Sequence, residues 1–306
     1  MSAVLLVCAI HLSAAEVSAQ GGGHTVFVEG NCDSPVPGTT IVSPGTCGDF
    51  DGDGRIGTAE DTDGADRIFG TINAALGPGT GAAAGTGINH SGRVVIVRSG
   101  RFAEAVFIGR IQCAGCPGVV TPGNVTLEAA PGVDAVIDAI LQGDPAGGNT
   151  ARQSATGIVV TFGANSPVAA ARMIILRNLT VRNFARGAEI SHGARILIDN
   201  CRFENNQNAG IVLNFHTRAV ITNTHVSGTG SRTTGAGPNP GHGIWIDVEA
   251  QARLVNTTVS HNANVGIFNA TGNPANLVFF KVSAYFNGND TLGPFTNNLD
   301  PNFSTN

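Results

Sequence analysis

The sequence predicts an all-β chain wound into a solenoid of stacked short strands, and two in-phase repeats predict it. The first repeat is apolar-x-Asn-x-x-apolar: LRNLTV (176–181), IDNCRF (198–203), ITNTHV (221–226) and LVNTTV (254–259). Its asparagines, Asn178, Asn200, Asn223 and Asn256, are 22, 23 and 33 residues apart. The longest interval contains GTGSRTTGAGPNP (228–240) and reads as one turn plus a surface loop of roughly ten residues. The second repeat is GIVVTF (157–162), GAEISH (187–192), GIVLNF (210–215), GIWIDV (243–248) and GIFNAT (266–271). Each copy opens with glycine and then alternates, as a strand with one buried face does. No copy is long enough to bury a core alone, so copies must stack.

Each element then has a reason. Asparagine tolerates the left-handed backbone of a tight turn, and its amide both donates and accepts. Amides stacked one strand spacing apart, about 4.8 Å, can bond into a ladder. A fifth copy, FFKVSA (279–284), places Lys281 where the asparagine belongs and marks the end of the stack. Solenoid ends expose apolar side chains and need covers. ADRIFGTINAAL (65–76) spaces Ile68, Phe69, Ile72, Ala75 and Leu76 as a capping helix would. The tail NGNDTLGPFTNNLDPNFSTN (287–306) is polar with scattered phenylalanines and is expected to cover the other end as irregular chain.

The chain is 306 residues long, 42% hydrophobic and 13% charged, which excludes a disordered polymer. A net charge of −5 leaves no broad basic surface for nucleic acid. Residues 1–19, MSAVLLVCAIHLSAAEVSA, carry a short apolar core and a small-residue cleavage site, and read as a secretory signal. No other stretch is apolar and long enough to span a membrane. In an exported chain, Cys32 with Cys47 and Cys113 with Cys116 are pairing candidates by proximity. Cys201 lies in an apolar stripe and reads as a buried free thiol. The expected layout is a signal over 1–19, an N-terminal strand with a disulfide and metal-loop insert over 20–64, the solenoid over 65–290 and a tail over 291–306.

With these repeats, and with FGTINAAL (69–76), RVVIVRSGRFAEAVFI (93–108) and NVTLEAAPGVDAVID (124–138), the chain resembles the right-handed parallel β-helices of the pectin-lyase-like superfamily. The resemblance spans about residues 24–290 and implies the fold and its hand. It leaves activity open, because that superfamily includes lyases, hydrolases, esterases, epimerases and non-catalytic surface proteins.

DFDGDGRIGTAED (49–61) matches a twelve-residue calcium loop. Asp49, Asp51 and Asp53 take positions 1, 3 and 5, Gly54 turns the chain at 6, the Arg55 carbonyl takes 7 and Glu60 takes 12. No helical period precedes it, so it resembles the lone loops of dockerin-like modules more than a paired sensor. Ca2+ is therefore expected as a staple for the insert.

Strand alternation also predicts an outward strip. Ile244, Ile246 and Val248 should point in, and Trp245, Asp247 and Glu249 out. Val212, Asn214 and His216 face out on the preceding copy, as do Glu189 and Ser191 on the one before and Phe268 on the one after. Trp245, Asn214 and Phe268 are candidate sugar-binding residues, since a flat ring beside hydrogen-bonding groups suits a sugar. Asp247, Glu249, His216 and Glu189 are the candidate catalytic groups. Asp247 and Glu249 on one strand would be roughly 6.5–7 Å apart, a separation open to glycoside chemistry. The GHG at 241–243 resembles a polygalacturonase motif, but the preceding coil offers Ala209-Gly210 where the acids would be. Arg186 and His242 align between coils as further proton-handling candidates. Two functions stay open. One is an extracellular, bacterial exported or surface β-helix that binds carbohydrate or serves as structure, as a monomer. The other is a polysaccharide lyase or glycoside hydrolase. The expected partner is a polysaccharide or cell-surface glycan.

Overall fold

The computed structural model describes residues 25–30, 34–35, 40–41, 48–49, 53–56, 67–77, 88, 91–109, 123–140, 150–161, 172–230 and 241–297. Both expected disulfides, the signal segment and most of the 228–240 loop lie outside them.

The described strands form a right-handed parallel β-helix with three walls. One wall stacks Thr25–Val28, Gly92–Ile96, Val125–Ala129, Met173–Arg177, Arg195–Asp199, Arg218–Thr222 and the first half of Gln251–Ser260, all parallel. A second stacks Gly100–Phe102, Ala135–Asp138, Leu179–Arg182, Arg202–Glu204 and His225–Ser227 against the second half of Gln251–Ser260. The third is a 7-stranded sheet running from Val106–Gly109 to Asn289–Leu292. The first two walls join into one 16-stranded sheet because Gln251–Ser260 and Leu277–Tyr285 run through the corner between them and pair along both halves.

The asparagines sit at that corner. Asn178, Asn200, Asn223 and Asn256 have φ of 58°, 51°, 50° and 48°, and Lys281 follows at 52°. Nδ2 of Asn200 donates to Oδ1 of Asn178 (2.9 Å), and Nδ2 of Asn256 to Oδ1 of Asn223 (2.7 Å). The ladder breaks once: Asn223 donates to Asp199 Oδ1 at 2.9 Å instead of to Asn200. A second amide column lies inside the next corner. Asn262 Oδ1 accepts the Thr229 amide (3.1 Å), Asn287 Oδ1 accepts the Asn262 amide (3.0 Å), and Asn206 Oδ1 accepts the Phe184 amide (3.1 Å). Asn206 is fully buried and Asn262 nearly so, so these amides satisfy backbone that water cannot reach.

The glycine that leads five of the third-wall strands, Gly157, Gly187, Gly210, Gly243 and Gly266, is set by close approach between coils. A Cβ on Gly210 would lie 2.3 Å from Val226 Cγ1 and 2.7 Å from the Gly243 carbonyl oxygen. The core is one column of apolar layers, with Ile190, Leu213, Ile246 and Ile158 all sealed from solvent. Cys201 is buried and free, and burial pushes its thiol up to about 12, so it behaves as a small apolar side chain.

Two local expectations are corrected. The capping helix is only Ile72–Leu76, with Ile72, Ala75 and Leu76 buried under it. Ile68 and Phe69 belong instead to a strand, Arg67–Phe69, that pairs with Thr25–Val28. Thr71 caps the helix, and the Glu104 carboxylate accepts the Ile72 and Asn73 amides at 2.7 and 2.9 Å. Burial raises the Glu104 pKa in spite of those bonds. At the other end the described part of the tail, to residue 297, is regular where irregular chain was expected, and residues 298–306 lie outside the described residues. Asn289–Leu292 and Thr296–Asn297 extend two walls, and Phe295 packs on Phe279 with ring centroids 4.8 Å apart.

Candidate functional site

The predicted strip is partly a real column. Glu189, Val212, Trp245 and Phe268 are register partners on successive third-wall strands. Asn214 and Asp247 follow one position beyond their strands, since the Asn214 amide donates to Ile190 O and the Asp247 amide to Leu213 O, both at 2.8 Å.

Their environments differ from a flat solvent face. Val212 is 3% exposed although it points away from the core. Trp245 is half-buried, and its indole nitrogen is sealed without a hydrogen-bond partner among the described residues. Its ring lies 5.3 Å from the His242 ring and 6.0 Å from Phe268. His242 is buried, its Nδ1 also lacks a partner among the described residues, and burial lowers its pKa. These three rings form an aromatic cluster, so Trp245 is not the open stacking platform that alternation implies. Glu189 is tied to Arg186 on its own strand at 2.5 Å, which holds it as a structural ion pair. Arg186 and His242 do share a register column, separated by Ala209.

The carboxylates do not sit as expected. The strand ends at Ile246, and Val248 and Glu249 both take left-handed backbone, with φ of 32° and 58°. Alternation therefore fails past Ile246. Val248 points to solvent at 44% exposure instead of inward. Asp247 opens the turn and Glu249 lies two residues on within it, so they are not neighbours on one strand face, and Asp247 Oδ1 accepts the Val248 amide at 2.9 Å. The sequence had no sharp sign of this turn, because the apolar-polar pattern of GIWIDVE runs straight through it.

What the turn builds is a different grouping. His216 is left-handed too, at φ 59° one coil earlier, and its amide donates to Val248 O. Its Nδ1 meets Glu249 Oε2 at 2.5 Å, with both side chains about two-thirds exposed, at 70% and 68%. They form part of the rim of an open groove of about 280 Å³ lined by His216, Arg218, Glu249, Gln251, Asn273 and Asn276. Arg218 and Gln251 are register partners. Asn273 caps the short turn Pro274–Asn276 on the next coil. Each of three coils thus gives two side chains. Arg218, Gln251, Asn273 and Asn276 escaped the sequence reading because they lie on the neighbouring wall, across a turn whose path the repeats do not encode.

In the acidic loop, Asp51 and Glu60 lie outside the described residues. Asp49 is fully buried, and its Oδ2 accepts the Gly54 amide at 3.1 Å. Gly54 has φ 81°, the sharp turn expected at loop position 6. Asp53 is exposed, and its Oδ1 accepts the Arg55 amide at 2.7 Å. Thr40–Ile41 pairs antiparallel with Arg55–Ile56 across the loop. Arg98 pairs with buried Glu29 (2.5 Å) and also donates to the Asp49 carbonyl (3.4 Å), fastening the insert to the first wall. Among the described residues no three His, Cys, Asp or Glu side chains converge as a metal site.

Residues 146–298, half of the chain, match the family of right-handed beta helix regions, and the chain belongs to that family. No curated protein sequence matches it. Among solved structures it is similar to the pectate lyase Pel9A, with 13% identity and a TM-score of 0.38 over 92% of this chain and 81% of that one. That likeness is too distant to bear on activity. No helix among the described residues is long and apolar enough to cross a membrane.

Proposed function

We propose that the protein is an exported, calcium-stapled β-helix that binds carbohydrate, a polysaccharide or cell-surface glycan, in the groove across His216, Glu249 and Asn273. The observation that carries this reading is the lining. All six side chains there are hydrogen-bonding groups, with a guanidinium, three carboxamides, an imidazole and a carboxylate. Sugar hydroxyls need donors and acceptors close together, and carboxamides supply both. The Trp245–Phe268 cluster lies on the adjacent wall. Affinity electrophoresis against neutral and acidic polysaccharides tests the reading. Retardation should fall at least several-fold in an Asn273→Ala/Asn276→Ala variant, and a protein that no polysaccharide retards would overturn it.

Calcium is proposed at Asp49, Asp51, Asp53, the Arg55 carbonyl and Glu60, where Gly54 supplies the turn. Clustered carboxylates repel without a cation, so binding should stabilise the insert. Chelation should lower the melting temperature by several degrees, and re-added Ca2+ should restore it. A melt indifferent to chelator removes the staple.

One contact favours a second reading, an enzyme acting on polysaccharide as lyase or hydrolase. A histidine held by a carboxylate is a working acid–base unit, and His216 has that contact with Glu249. Release of new chain ends from a polysaccharide, lost in His216→Ala, would select this reading over binding alone.

A further inference from the structure

We infer that Arg218 makes this groove an anion site, and that the proton on His216 sets how tightly the anion is held. The inference rests on the carbohydrate-binding reading and adds the chemical class of the ligand: a sugar carrying a carboxylate or a sulfate ester.

The first support is how arginines are spent elsewhere on the solenoid. Arg93 and Arg177 hold Glu128, Arg177 also holds Asp199, Arg182 holds Asp138, Arg186 holds Glu189 and Arg202 holds Glu204. Arg218 is exposed at the groove and has no carboxylate partner among the described residues. A guanidinium offers a planar fork that suits carboxylate and sulfate oxygens. Gln251, Asn273 and Asn276 beside it can take the hydroxyls of the same ring.

The second support is the carboxylate among the groove's described lining residues. Glu249 lines the same cavity as Arg218, and its Oε2 touches His216 Nδ1. With His216 neutral, Glu249 brings an uncompensated negative charge to the rim and repels an anionic ligand. With His216 protonated, the pair is neutral overall and the Arg218 charge acts unopposed. Histidine is the side chain whose charge changes between about pH 5 and 8, so anion binding should strengthen as pH falls through that range. Both partners are exposed, which limits the effect to a few-fold.

Other charged groups around the turn are accounted for. Asp247 Oδ1 accepts the Val248 amide and is turned to the backbone of its own turn. Arg195 and Arg253 lie on the flanking strands of the wall. His192 on the preceding coil stacks on Phe215 at 4.9 Å and shares its Nδ1 with Ser191 and Thr161. It stands at the same corner one coil earlier, where the Gly193 amide donates to Phe215 O, so a His192→Gln variant serves as control.

The experiment is calorimetric titration of the full chain with three oligosaccharide probes: a uronate oligomer, its carboxyl-reduced neutral counterpart, and a sulfated oligomer. Each is measured at about pH 5.5 and 8, where both acid types stay ionised. The acidic probes should bind about fivefold tighter at the lower pH, and the neutral probe should not change. Glu249→Gln should hold the tight value at both pH values, and His216→Gln the weak one. Arg218→Gln should erase the preference for acidic over neutral probes, and His192→Gln should leave the pH dependence intact. Tight uronate with weak sulfate, or the reverse, identifies which anion the groove takes. Neutral and acidic probes binding alike, or a pH response that survives both Glu249→Gln and His216→Gln, would overturn the inference and leave carbohydrate binding standing. Failure of every probe at both pH values would remove the binding reading itself. Unchanged melting curves for the variants confirm that folding is not the cause.

Discussion

On the earlier coils, Arg177 lies between Glu128 and Asp199, and Asp138 holds Arg182 and Asn183 from below. On the later coils, Arg218 and Arg253 stand on the same kind of strand, exposed and without a carboxylate among the described residues. Both regions repeat the same strands at the same register, so the fold does not explain the difference. The earlier charges are partly or wholly withdrawn from water: the Glu128 and Asp138 side chains are 7% and 1% exposed. A buried carboxylate must be paired, whereas an exposed arginine has no such need. The comparison therefore separates charges that hold neighbouring coils together from charges left available to a ligand.

The sharpest way to break this comparison is to remove a carboxylate from the first region. Asp138→Ala strands Arg182 and leaves the Asn183 amide and the Ile140 N–H without their acceptor. It should cost about 2–4 kcal/mol in denaturant unfolding. Arg218→Gln, made for the binding experiment, should stay within about 0.5 kcal/mol of the parent. Equal losses in the two would end the distinction.

A smaller effect is expected at the corner that both regions share. Asn200→Ala loses a ladder bond and puts a Cβ residue without a compensating amide at φ 51°. The loss should be about 1–2 kcal/mol. Asn200→Gly should recover the backbone part and lose only the bond, so glycine must be the milder change. Equal losses in the two would show that the amide, not the left-handed backbone, is what the position requires.

The smallest expected effect is the acid response of the later coils. Burial depresses the folded-state pKa of His242, and burial with nearby Arg202 depresses that of His225. The unfolded chain then takes up these protons first, near the ordinary value of 6.5, while the folded chain resists until lower pH. The stability these neutral rings contribute is complete above 6.5 and is lost as pH falls through the lowered values. A His242→Phe variant should show a flatter melting temperature below that point. A parallel curve would mean the ring does not titrate on unfolding.

Much of the fold was legible because a solenoid writes its geometry repeatedly. Asn178, Asn200, Asn223 and Asn256 line up at one corner, and the glycine-led strands form one wall. What the two repeats did not reveal depends on shorter or non-repeating detail. Asn206, Asn262 and Asn287 form an inner column marked only by a second asparagine two residues on, at Asn208, Asn264 and Asn289, a sign too short to stand out beside the longer repeats. Ile68 and Phe69 satisfy helical spacing yet gain more by pairing with Thr25–Val28. At the candidate site the register column through Trp245 was correct, but its solvent exposure was not. A strand pattern carries no mark of what covers its outer face, and the turn at Val248 and Glu249 breaks the alternation where the groove begins.

The two long strands, Gln251–Ser260 and Leu277–Tyr285, weld adjacent walls into one ribbon by pairing along both halves. Earlier windings lack that weld, since each corner there interrupts the pairing. Tension applied along the chain would meet its greatest resistance at this late ribbon, which must peel as a unit. Unravelling would instead proceed wall by wall through the windings nearer the amino terminus.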